Sequence, residues 1–206
     1  LASGKSITTT AAENSEAASG AVDIDATGTG AVNLSGDIIT TGAANNAGTG
    51  SAGGAVTIDT ANGTIAVNKI TASGGASTGG TNKGGAAGAI TINSTTAGNN
   101  ITLNGDLASV GGAGSAAQGA GGNINPKGSG SIILGKGITI DTGATAGNIT
   151  FSSVLDGTSD YAEDLTLNAG TGTVGFGRNK VTGGVKKLGN ITIQSAGNVQ
   201  VSSSLN

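Results

Sequence analysis

Charge is scarce in this chain, and the places where it gathers are where chemistry would have to happen. Asp156, Asp160, Glu163 and Asp164 fall within nine residues of one another. Such a group could contribute oxygens to Ca²⁺, which takes six to eight of them. It could also supply the two carboxylates at fixed separation that glycoside cleavage needs. Arg178, Lys180, Lys186 and Lys187 follow in the next stretch of chain. If the chain repeats, these bases come to lie beside the acids and pair with them. Exposed pairs of this kind contribute about 0–1 kcal/mol each, so they would set register more than stability. No other constellation presents itself. The chain has no His and no Cys, which rules out Ser-His-Asp and Cys-His nucleophiles and any His-based zinc site. The Gly-rich stretches match spaced-glycine patterns by chance, but none opens a helix after a strand with the required acidic residue downstream. Gly111-Gly112-Ala113-Gly114 runs into Ser115-Ala116 rather than the x-Asp of the Ca²⁺-binding nonapeptide. No catalytic or cofactor-binding residue is assigned, and Ca²⁺ is the one metal with candidate residues.

The elements that would position these charges come from a recurring unit: aliphatic, small or polar, aliphatic, then Asp or Asn. It reads Val22-Asp23-Ile24-Asp25, Val56-Thr57-Ile58-Asp59 and Ile90-Thr91-Ile92-Asn93, each starting 34 positions after the last. It returns as Ile138-Thr139-Ile140-Asp141, Leu165-Thr166-Leu167-Asn168 and Ile191-Thr192-Ile193-Gln194. Alternation of apolar and polar residues marks a half-buried strand. A second alternating pair follows each unit, among them Val32/Leu34, Ile65/Val67, Ile101/Leu103, Ile132/Leu134, Ile149/Phe151 and Val174/Phe176. A third apolar contact comes at Ile39, Ile70, Leu107 and Ile138. Three short strands per repeat, stacked at a fixed period, predict a right-handed parallel β-helix whose repeats bury their apolar faces on one another.

Composition supports a slim aliphatic core over a wide one. Of 206 residues, 41 are Gly and three are aromatic, Phe151, Tyr161 and Phe176, whereas a broad globular core draws on large aromatic side chains. Helix is disfavoured by interior Gly and by β-branched Ile, Val and Thr at the patterned positions. Low side-chain volume in Gly42 to Gly54, Gly74 to Gly88 and Gly111 to Gly122 implies loops protruding from one edge. The net charge of −3 leaves no basic footprint for nucleic acid, and no apolar run is long enough to span a membrane as a helix.

Superposing the units creates columns. One runs Asp23, Thr57, Thr91, Thr139, Thr166, Thr192; it reads as a cross-strand Thr ladder or, less economically, as an ice-binding rank. The other runs Asp25, Asp59, Asn93, Asp141, Asn168, Gln194. It reads as a series of Asx turns bonding the backbone two residues on, or as a divalent-cation ladder.

The repeat length divides the chain into two sub-arrays. Residues 1–122 carry coils of about 34 residues with long Gly-rich loops. Residues 123–206 carry coils of about 26 residues with charged loops. The boundary sits where Asn123-Ile124-Asn125-Pro126 breaks the unit, since Pro cannot donate to a ladder.

Leu165-Thr166-Leu167-Asn168-Ala169-Gly170-Thr171-Gly172-Thr173-Val174-Gly175-Phe176, followed by Leu188-Gly189-Asn190-Ile191-Thr192-Ile193, resembles the repeats of filamentous-haemagglutinin-like bacterial surface exoproteins, the β-strand repeat adhesin class. Gly54-Ala55-Val56-Thr57-Ile58-Asp59 fits the same pattern. The resemblance implies a right-handed parallel β-helix, export to the cell surface, adhesive or matrix roles and no catalytic residues. The expectation is therefore an interior piece of a secreted adhesin or extracellular filament, acting as a rod in attachment or biofilm. End-to-end or lateral self-association is the expected partnership, with any surface or glycan partner unspecified. The alternative is a carbohydrate-binding or carbohydrate-cleaving β-helix, for which Tyr161 is the one aromatic residue placed to stack on a sugar.

Overall fold

The computed structural model describes residues 1–177 and 186–202. Every named strand pairs in parallel with its neighbour in a following or preceding coil, which makes the fold a right-handed parallel β-helix of three sheets. The first sheet runs Val22–Ala26, Val56–Thr60, Ile90–Ser94, Ile124–Gly128, Ile149–Phe151, Thr173–Phe176, Asn198–Val201. The second runs Val32–Leu34, Ile65–Val67, Ile101–Leu103, Ile132–Leu134, Leu155–Gly157. The third runs Ser6–Thr8, Asp37–Ile39, Ile70–Thr71, Leu107–Ala108, Ile138–Asp141, Leu165–Asn168, Ile191–Ser195. Seven strands at the usual spacing make a stack about 29 Å high.

Inward side chains form columns with almost no exposure. Val56, Ile58, Ile90, Ile92, Ile101, Leu103, Ile140, Leu165 and Leu167 are wholly buried, and Val22 and Ile138 nearly so. Ile24, Ile191 and Ile193 lie in the outermost coils and are half-buried against the same core. Phe151 stacks on Phe176 at 5.6 Å between ring centres, one register step apart in the first sheet.

Three sequence expectations need correction. Ile138, Leu165 and Ile191 do not continue the column of Val22, Val56 and Ile90; they belong to the third sheet. The first sheet continues instead through Ile124, Ile149, Val174 and Val199. Its spacing is 34 residues from Val22 to Ile124 and 25 from there on. The two sheets exchange appearance at the change of period: the third-sheet strand lengthens from two residues to four and acquires the aliphatic-x-aliphatic-Asp form.

Second, the unit is not broken at Pro126. Ile124–Gly128 pairs with Ile90–Ser94 over five residues, with Pro126 buried opposite Ile92. The missing N–H is felt on the other side. In a parallel ladder alternate residues bond the same neighbour. Ile124 donates to Asn148 O at 2.8 Å, so the next donor toward that strand falls at 126. Pairing there stops after Ile124↔Ile149. Third, Ile38 rather than Ile39 is the buried partner of Ile70; Ile39 faces outward beside Thr71.

The Gly-rich stretches between the third sheet and the next first-sheet strand are ordered throughout. Each makes an outgoing and a returning arm, and arms stack on their counterparts in the next coil. Outgoing arms are joined by Gly42 N–H to Ser73 O (2.8 Å) and Asn45 N–H to Ala76 O (2.9 Å), returning arms by Gly50 N–H to Lys83 O (3.1 Å) and Gly53 N–H to Ala86 O (2.8 Å). Bonds to a given neighbour thus recur every third residue, the period of an extended threefold helix rather than of a strand. Crosswise bonds run Gly75 N–H to Ser51 O, Gly85 N–H to Gly75 O, Gly112 N–H to Gly85 O and Gly119 N–H to Gly112 O, all 2.8–2.9 Å. The result is a wall of backbone packed on backbone. A Cβ at Gly85 would penetrate Ser51 O, and one at Gly112 would penetrate Gly75 O, so glycine is required by close approach. The wall ends where the period shortens: Thr145 donates its hydroxyl to Gly119 O (2.7 Å) and accepts from Gly121 N–H (3.1 Å).

Candidate binding surfaces

Asp156 lies in the second-sheet strand Leu155–Gly157, and Asp160, Glu163 and Asp164 lie in the turn that leads on to the third sheet. Asp156 and Glu163 are buried, Asp160 and Asp164 exposed. The carboxylates work as acceptors for main-chain N–H groups. Asp156 accepts from Lys186 N–H (2.8 Å) and Gly157 N–H (3.0 Å), and Asp160 from Lys187 N–H (3.0 Å). Asp164 accepts from the main chain and side chain of Asn190 (2.7 and 3.1 Å). Glu163 accepts from the Thr158 hydroxyl and from Ser159 N–H (3.4 Å). Among the described residues no group of three or more acidic side chains is arranged to hold a metal ion.

The opposite charges do meet across the stack, but through one exposed ion pair among the described residues, Lys186 Nζ to Asp160 at 3.8 Å. Arg178 and Lys180 lie outside the described residues. Lys187 places its ammonium 5.6 Å from the centre of the Tyr161 ring. Tyr161 is 65% exposed and held at a φ of 61°, a conformation uncommon for any residue but Gly. One face of that ring is therefore already occupied by a cation.

The outward columns differ from those expected because the register differs. Asp23, Thr57, Thr91 and Asn125 align on the first sheet; Thr139, Thr166 and Thr192 align on the third. The supposed single Thr rank is two short ones on different faces. The Asx column splits likewise. Asp25, Asp59, Asn93 and Lys127 share the first sheet, while Asp141, Asn168 and Ser195 share the third. Asp141 makes the expected Asx turn to Gly143 N–H (2.7 Å) and also accepts from the Asn168 amide (2.8 Å). No hydrogen bond reaches the Asp25 or Asp59 carboxylate among the described residues.

Sequence reasoning missed the wider use of Asx side chains. Asn100, Asp106, Asn123 and Asn148 each accept, at 2.8–2.9 Å, an N–H from the coil that follows: Ser131, Thr139, Asn148 and Thr173. The signal is an Asn or Asp just ahead of a strand, a position from which the side chain clamps one coil to the next.

A concavity lies on the outer face of the first sheet. It has a volume of about 360 Å³ and is bordered by Asn148, Thr150, Thr173, Gly175, Gln200 and Ser202. No lining side chain carries a charge. Comparison with protein-family models, with curated proteins and with solved structures finds no match.

Proposed function

We propose that this chain is a non-catalytic structural repeat segment of a large secreted bacterial adhesin or extracellular filament, related to the filamentous-haemagglutinin-like exoproteins. In this reading it serves as a rod in surface attachment, biofilm or matrix. The observation that carries the reading is the uninterrupted stack: one aliphatic column per sheet passes through the change of coil length without a gap. Most hydrogen bonds that shape a coil are made to the coil beside it, so stability accumulates with length as in other solenoids. Three of the four clustered acids, Asp156, Asp160 and Asp164, serve as clamps to the next coil. The division into sub-arrays 1–122 and 123–206 belongs to the same proposal, the first braced by the glycine wall and the second by charged turns.

Self-association of rods accompanies this reading. Sedimentation of this segment at micromolar concentration should show concentration-dependent association; a single monomeric species throughout argues against it. Electron micrographs of the full-length protein should show a slim unbranched rod, and cells displaying it should adhere better than cells lacking it. Calcium-dependent cleavage of an acidic polysaccharide by this chain would overturn the proposal in favour of an enzyme. A second reading, recognition of a carbohydrate, is favoured by the uncharged concavity on the first sheet.

A further inference from the structure

The concavity on the first sheet is floored in part by a glycine. Gly175 occupies an outward position of the strand Thr173–Phe176, between the inward side chains of Val174 and Phe176. Its register partners are Thr150 on one side and Gln200 on the other. Glycine weakens a strand interior through backbone entropy and lost packing, and there it often marks a bulge, a bend or close approach by another group. The packing here does not demand it. A Cβ at Gly175 would stand 3.8 Å from the Thr150 side chain, ordinary van der Waals contact, and the backbone adopts no left-handed angle. The contrast with Gly85 and Gly112 is sharp, since those two are forced by neighbouring carbonyls. Thr173–Phe176 stays in register with both neighbours, so a bulge is not the reason either.

What surrounds the bare backbone is a set of idle polar groups. The side chains of Thr150, Thr173, Gln200 and Ser202 make no hydrogen bond among the described residues. Asn148 spends its carbonyl oxygen on Thr173 N–H at 2.8 Å, which leaves its amide donors facing out. One strand further along the same sheet, Asn125 Oδ1 is buried without a partner. Hydroxyls and amides offer donors and acceptors together, with no charge to favour an anion or a cation. A volume of about 360 Å³ lies in the range of small-molecule sites.

We propose that Gly175 opens a binding subsite for one uncharged, pyranose-sized sugar unit, seated on the bare strand and held by Thr150, Thr173, Gln200 and the Asn148 amide. The subsite deepens the attachment reading, giving the rod a contact for neutral glycans, and that reading survives without it: micrographs and cell adhesion test the rod, sugar titration tests the subsite.

The test is an amide-resolved NMR titration of this chain with the methyl glycosides of glucose, galactose, mannose and N-acetylglucosamine, with glucuronate as the charged comparison. The expected result is saturable shifts at Thr150, Gly175 and Gln200 with at least one neutral glycoside. Gly175→Val should abolish them while leaving the far-ultraviolet circular dichroism unchanged. Gln200→Ala should weaken binding by about tenfold through lost hydrogen bonds, and it serves as the second variant should Gly175→Val misfold. Thr57→Val, on the same sheet but distant, should bind as the parent does. Absence of saturable shifts with every neutral glycoside, shifts that survive Gly175→Val, or tighter binding of glucuronate would each overturn the proposal.

Discussion

The coils up to Ile124 and those after it solve one problem in two ways. Both bury the same aliphatic columns, yet the early coils take 34 residues and the later ones 25. The additional residues build the glycine wall, in which main chain packs on main chain and hardly a large side chain takes part. The later coils replace that wall with a short turn at Thr142 to Gly147 and brace the opposite corner with carboxylates. Asp156, Asp160 and Asp164 reach across to main-chain N–H groups at Lys186, Lys187 and Asn190. The lesson is that glycine content by itself says nothing about order. Poor side-chain volume denies a hydrophobic core but permits backbones to approach until their hydrogen bonds do the packing.

The comparison can be broken or sharpened by mutation, beginning where the effect is largest. Ile92→Ala in an early coil and Leu167→Ala in a late one should each destabilise by about 2–5 kcal/mol, because both side chains are wholly buried. Urea denaturation should give similar losses; a much smaller loss in one region would mean that the column is not equally continuous. Gly85→Ala should follow at about 1–3 kcal/mol or more by forcing the wall apart. Gly175→Ala, outside the wall, should be neutral or stabilising by up to about 1 kcal/mol. Equal effects at the two glycines would contradict close approach as the reason for the wall's composition.

Asx clamps rank next. Asp164→Ala returns the exposed Asn190 N–H to water and should lower stability by about 0.5–1 kcal/mol, whereas Asp25→Asn removes like-charge repulsion against Asp59 and should raise it slightly, most at low salt. The smallest effect belongs to Lys186→Ala. Its ion pair is about half exposed on both sides, so the loss should lie within about 0–1 kcal/mol and vanish at high salt. Thermal midpoints at low and high ionic strength separate these last two cases.

Particular residues mark how far the sequence could be read. Val56, Ile58, Ile90 and Ile92 announce a buried strand face by alternation alone, and their equal spacing announces stacking. The same alternation cannot say which of three sheets a strand joins, so it sets Ile138, Leu165 and Ile191 one face away from where they lie. Pro126 carries a local rule against ladders, but only one of its two edges needed the missing donor, and that is a property of its neighbours. Gly175 reads in sequence like any of the 41 glycines; only the positions of Thr150 and Gln200 on either side make it a dent.

By itself, then, the sequence determined the period, the strand alternation and the parallel β-helix, since these follow from the order of apolar and polar residues along one chain. Tertiary structure alone decided sheet membership, the packing of the glycine arms and the clamping role of Asn and Asp. Those depend on which residues of different coils lie side by side, and a change of nine residues in coil length shifts every such pairing at once.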